Sequence, residues 1–99
     1  MPVSIQFDWD PAKATANLAK HGVTFQEAMQ VFRDPLALTI PDPQPVDPEE
    51  RWITIGQAGP ALLVLVVHTH IEIDAETVYI RIISARKPTR KERQQYKDG

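Results

Sequence analysis

An α+β domain, with helices packed on an antiparallel sheet, is the fold class this sequence predicts. Three observations predict it. Residues 4–9 and 77–86 alternate apolar and polar side chains at the two-residue period of a strand, and residues 61–67 form a continuous apolar run. Between residues 10 and 34 lie the start and stop signals of two helices. Ninety-nine residues make one domain, 1–99, with a modest core.

In order, Ser4 to Trp9 reads as a strand, with Ile5, Phe7 and Trp9 on one face. Asp10-Pro11 supplies an N-cap and a proline at the first helical position, and the helix stops at His21-Gly22. Thr24 and Glu27 form a Thr-x-x-Glu capping box for a second helix, whose buried face is Phe25, Ala28, Met29 and Phe32. Asp34-Pro35 ends it. Leu36 to Ile40 is a short strand, and the loop 41–50 carries four prolines that keep it extended. Strands follow at Arg51–Gln57, Ala61–Thr69 and Thr77–Arg86, divided by Gly56 and Gly59-Pro60 and by a turn near Asp74-Ala75-Glu76. The middle strand is apolar on both faces and belongs in mid-sheet. A last helix begins at Pro88-Thr89, with Thr89 and Glu92 as its capping box, and reaches about Lys97. The order is β-α-α-β-β-β-β-α.

Charge is segregated. Of 11 Lys and Arg, seven lie between Arg81 and Lys97 with one acid among them, so a chain of net charge −2 is strongly dipolar. Such a cluster suits a phosphate backbone better than an apolar metabolite. Absence of Cys excludes a disulfide and a Cys-ligated zinc. Three His without a His-x-x-x-His or Glu-x-x-His pattern argue against a metal, and no cofactor is expected. No signal peptide is visible and the longest apolar run is too short for a bilayer, so a soluble cytoplasmic protein without membrane contact is expected.

Simple alternation along 77–86 puts Ser84 and Arg86 on the face of Val78, Ile80 and Ile82, with Arg81 on the other face. Arg81 either pairs with a carboxylate across the sheet or holds a phosphate with its fork of donors. His68, at the end of the apolar strand, is either a satisfied core residue or a catalyst. Register decides its neighbours: an odd sum of paired residue numbers sets it opposite Arg81, an even sum beside Ile82. Arg86, Arg90, Arg93 and Lys97 form a stripe that repels itself unless an anion neutralises it. Glu50, before Arg51-Trp52, is a candidate general base or an exposed partner of Arg51. Lys20 and His21 are explained by the negative end of the first helix.

Taken in order, Phe7-Asp-Trp-Asp-Pro-Ala-Lys-Ala, Asn17-Leu-Ala-Lys-His-Gly-Val-Thr-Phe-Gln-Glu-Ala, Val31-Phe-Arg-Asp-Pro-Leu, Glu50-Arg-Trp-Ile-Thr-Ile-Gly, Val66-Val-His-Thr and Ile80-Arg-Ile-Ile-Ser-Ala-Arg-Lys with Tyr96 resemble the BrnT family of bacterial type II toxins. The segments span nearly the whole chain. The resemblance implies a RelE-like fold and metal-independent RNA cleavage that inhibits translation. It also implies neutralisation by a BrnA-like ribbon-helix-helix antitoxin in a heterotetramer, which alone contacts promoter DNA. The hairpin 70–77 is longer and more acidic than the family pattern, and the 41–50 loop is richer in proline.

On that reading Arg81 and Arg86 bind and stabilise the phosphate, Ser84 orients it, and His68 or Glu50 is the base. Lys20, Arg51, Lys87, Arg90, Lys91, Arg93 and Tyr96 are candidates for holding RNA. The alternative is a non-catalytic module that binds nucleic acid or a protein partner through its basic helix.

Overall fold

The computed structural model describes residues 4–43 and 50–98. Nine elements follow one another: β1 (Ser4–Asp8), α1 (Pro11–His21), α2 (Phe25–Val31), β2 (Leu38–Pro41), β3 (Trp52–Gly59), β4 (Leu62–His68), β5 (Ile71–Asp74), β6 (Thr77–Arg86) and α3 (Arg90–Asp98). Most of the 41–50 loop lies outside the described residues.

The helix boundaries follow the local chemistry. Asp10 accepts the Ala12 N–H at 2.9 Å, and Gly22 closes α1 at φ 71° while donating to Leu18 O. In α2 both halves of the capping box form: the Glu27 N–H bonds Thr24 Oγ1, and the Thr24 N–H bonds Glu27 Oε1. The same reciprocal pair joins Thr89 and Glu92 at the start of α3.

One sheet runs β1-β6-β4-β3-β2, with β5 also on β6. Two expectations fail here. β1 runs parallel to β6, so the sheet is mixed rather than antiparallel. Side-chain periodicity carries no record of strand direction; β1 leads into helices instead of a hairpin and finds its partner late in the chain. In addition, residues 71–74 form a fifth strand after α2 where none was expected, and the expected turn near Asp74-Ala75-Glu76 follows it at residues 75–76. The alternation Ile71-Glu72-Ile73-Asp74 was its signal.

Gly56 lies inside β3 rather than at its end. A Cβ there would stand 2.9 Å from Val31 Cγ1, which lets α2 press against the strand. The turn is made at Pro60-Ala61.

The core divides by face. Phe25, Ala28 and Val31 of α2 pack with Val64, Val66, Ile80, Ile82 and Ala85 beneath the helices. On the opposite face, Ile55, Leu63 and Leu65 pack with Ile53, Val67 and Tyr96 of α3. Each fully buried Leu, Ile, Val or Phe contributes ~1.5–3 kcal/mol of transfer free energy, so both layers matter to a domain this small. Asn17, buried in α1, bonds the N–H and the C=O of Ala85 and also Val23 O. Its side-chain amide thereby stands in for a strand beside the end of β6.

Candidate functional site

A bulge in β6 decides which basic residues share a surface. The β4–β6 register runs Leu65 to Arg86, Val66 to Ala85 and Val67 to Ser84, then shifts so that His68 faces Ile82. Ile83 is the additional residue. Beyond it the faces exchange: Ala85 joins Ile80 and Ile82 in the helix-covered core, and Ser84 and Arg86 turn to the other side. Arg81 already points there. Simple alternation had set Arg81 apart from Ser84 and Arg86; the bulge brings all three onto one face.

Arg81 is exposed, between β1 and the end of β4. Its backbone donates to Thr69 Oγ1 at 3.1 Å and accepts from the Thr69 N–H at 3.0 Å. Asp8 is its register partner on β1. The Tyr79 hydroxyl donates to Asp8 Oδ2 at 2.6 Å and holds that carboxyl below the usual range. Among the described residues the Arg81 guanidinium makes no hydrogen bond. The β3–β4 register, carried one residue past Trp52 and His68, lays Arg51 and Thr69 in the same row. Arg51, Arg81 and Asp8 thus line one end of the open face, with exposed Glu50 beside Arg51.

Arg86 is committed differently. Its two terminal nitrogens hold the Glu92 oxygens at 2.8 and 2.9 Å, a two-point pair between strand and helix. The pair raises the Arg86 pKa and drops Glu92 to about 2 from an ordinary 4.5. The basic stripe is therefore partly neutralised from within, contrary to the expectation that it lacks a partner. Sequence spacing could not disclose this, because Arg86 lies on a strand and i,i+4 reasoning does not apply.

A second tie fixes the other end of α3. The Tyr96 hydroxyl donates to Asp34 Oδ2 at 2.6 Å, which raises the Tyr96 pKa and lowers that of Asp34. Asp34 also accepts the Gln57 and Leu36 N–H groups. Lys87, Arg90, Lys91 and Arg93 stay exposed. A shallow cleft of about 260 Å3 lies among Lys87, Arg93, Tyr96, Lys97, Gln57 and Leu63.

His68 lies on the helix-covered face, away from Arg81, and is 1% exposed. Burial lowers its pKa to about 4, so it is neutral at pH 7. Its Nδ1 lies 2.8 Å from Thr69 O and must carry the proton. Nε2 then accepts from Thr54 Oγ1 at 2.7 Å, and that oxygen accepts from Thr39 Oγ1 at 2.9 Å. Phe32 meets the ring edge-on, with centroids 4.9 Å apart. Both nitrogens are occupied, and the register has the even sum. Lys20 is exposed in the last turn of α1, on an element that packs on that same helix side. The structure thus gathers Arg81, Ser84, Arg86, Arg51 and Tyr96 on one face and leaves His68 and Lys20 off it. Among the described residues no three His, Asp or Glu side chains form a metal-binding group, and no helix is long and apolar enough to cross a membrane.

The family described as "Ribonuclease toxin, BrnT, of type II toxin-antitoxin system" matches residues 9–92. The chain belongs to the BrnT family. Among solved structures it is similar to the Brucella abortus ribonuclease toxin BrnT, with 22% identity and a TM-score of 0.54 over 91% of this chain and 99% of that one. That likeness is one of fold. No curated protein matches the sequence. As a BrnT-family member the chain is a ribonuclease toxin of a type II system and has an antitoxin as its partner. The matched span covers Glu50, Arg51, Arg81, Ser84, Arg86 and Glu92, the residues of the open face and its helix tie.

Proposed function

We propose that the chain is a metal-independent endoribonuclease that blocks translation in the cytoplasm and is neutralised by a BrnA-like ribbon-helix-helix antitoxin. The observation that carries the site is Arg81: an exposed guanidinium without a hydrogen bond among the described residues, on the face it shares with Ser84 and Arg86. Cleavage of RNA can use the substrate's own 2′-OH. A base takes its proton, the oxygen bonds to phosphorus, and the 5′-oxygen leaves with a proton from an acid. The excess negative charge on phosphorus needs fixed cations, which Arg81 on β6 and Arg51, just ahead of β3 and across the end of β4 from it, supply. Ser84 orients the phosphate.

Glu50 suits the base better than His68. It is exposed at the end of the face that bears Arg51, whereas His68 is buried with both nitrogens bonded. Arg86 serves through its tie to Glu92, which holds α3 and its exposed Arg90, Lys91 and Arg93 as an approach for the RNA backbone. The promoter is reached only through the antitoxin.

The test is cleavage of a labelled RNA by the purified chain in EDTA. Arg81→Ala removes an exposed side chain, so the fold should stand while cleavage falls roughly 10²–10³-fold. Full activity in that variant would remove Arg81 from the mechanism. Salt-sensitive RNA binding by the wild type without products would favour the binding module instead.

A further inference from the structure

The sheet edge at β5 is built unlike the rest of the molecule. Ile71, Glu72, Ile73 and Asp74 are all exposed, and the two isoleucines keep 50% and 55% of their surface in water. β5 pairs with β6 on one side, and among the described residues no strand lies on the other. The Thr69 N–H bonds Arg81 O, so alternation turns Ile71 toward β6 and leaves the backbone N–H and C=O of Glu72 facing outward. Beside this edge, on the helix-covered face, a cleft of about 450 Å3 opens between Ile5, Phe32, Val78 and Ile80, with His70 and Glu72 at its margin.

Exposed edges are ordinarily guarded, and this one is guarded selectively. It is short, its register shifts between Glu72 and Asp74, and it is acidic. A second copy pairing antiparallel about Ile73 would set Glu72 against Asp74 twice, and a parallel copy in register would stack acid on acid. Those acids repel the chain's own kind and attract a strand that carries Lys or Arg. An edge guarded against every partner would not keep two isoleucines in water on one face and open an apolar cleft on the other, beside Glu72.

We propose that β5 and this cleft are the docking surface for the antitoxin. An extended antitoxin segment pairs with the outer edge of β5 and sets Lys or Arg against Glu72 and Asp74. One large apolar side chain of that segment enters the cleft. The proposal deepens the toxin reading and rests on it. It also separates grip from inhibition, because the cleft opens on the helix-covered face, opposite the row of Arg51, Arg81 and Asp8.

The experiment uses the full chain and the antitoxin purified from its own operon. Affinity is measured by calorimetry, and amide exchange is followed with and without antitoxin. The double variants Glu72→Lys with Asp74→Lys, and Ile71→Thr with Ile73→Thr, alter exposed side chains only. Each should weaken binding roughly tenfold or more, the charge variant most at low salt. Antitoxin should slow exchange at the outward-facing Glu72 N–H. RNA cleavage by the charge variant alone should equal wild type, while neutralisation of either variant by antitoxin fails.

Affinities within twofold of wild type would overturn the proposal. So would a Glu72 N–H already protected in the free chain, or protection confined to the Arg81 face and α3. A wild-type chain that does not cleave RNA would reject the ribonuclease reading, while the affinity and exchange results would still decide the docking surface.

Discussion

Replacing Glu92 with Gln should loosen α3 from the sheet by an amount that pH can titrate away. Gln keeps the capping-box acceptor for the Thr89 N–H, so the change chiefly removes the charge facing Arg86. The Glu92 carboxyl sits at about 2 instead of 4.5. Taken whole, that lowering corresponds to ~3 kcal/mol at neutral pH. Side-chain exposure of 35% for Arg86 and 24% for Glu92 admits screening by water, which brings the expected value to ~1–2 kcal/mol. Because the folded pKa is the lower one, this stability is complete above pH 4.5 and is lost as pH falls through about 2. Urea unfolding of wild type, Glu92→Gln, Arg86→Met and the double variant measures it. The single variant should be ~1–2 kcal/mol less stable at pH 7, with a coupling energy of similar size. The gap should close near pH 2. Equal stability at pH 7, or a gap unchanged at pH 2, would refute the argument that this pair anchors the helix.

Three further outcomes are expected. His68 should titrate near pH 4 by NMR. Since its folded pKa lies below the unfolded 6.5, its contribution is full above pH 6.5 and ~3 kcal/mol is lost as pH falls to about 4; a midpoint near 6.5 would contradict its burial. Asn17→Ala should cost ~2–4 kcal/mol in thermal or urea unfolding, because the Ala85 N–H and C=O lose their partner inside the protein. Gly56→Ala should cost ~1–3 kcal/mol, since the added Cβ would meet Val31 O at 3.1 Å and Ala37 Cβ at 3.2 Å, and a backbone oxygen yields little. A Gly56→Ala protein as stable as wild type would mean that α2 can shift freely over β3.

What the sequence alone determined was local. Capping at Asp10, Thr24 and Thr89, the left-handed Gly22 and the buried strand 62–68 all depend on neighbours within a few residues, and each was legible. The family was legible too, from the ordered segments that span the chain. Tertiary structure decided the rest. The parallel placement of β1 rests on which distant strand remained to be paired. The site turned on one unpaired residue, Ile83, because side-chain direction in a strand has period two and a single insertion reverses every face beyond it. Arg81, Ser84 and Arg86 could be chosen as candidates from residue type and charge, yet their common face, the Arg86–Glu92 tie and the burial of His68 are relations between elements. No periodicity within one element records such a relation, so only the folded chain supplies it.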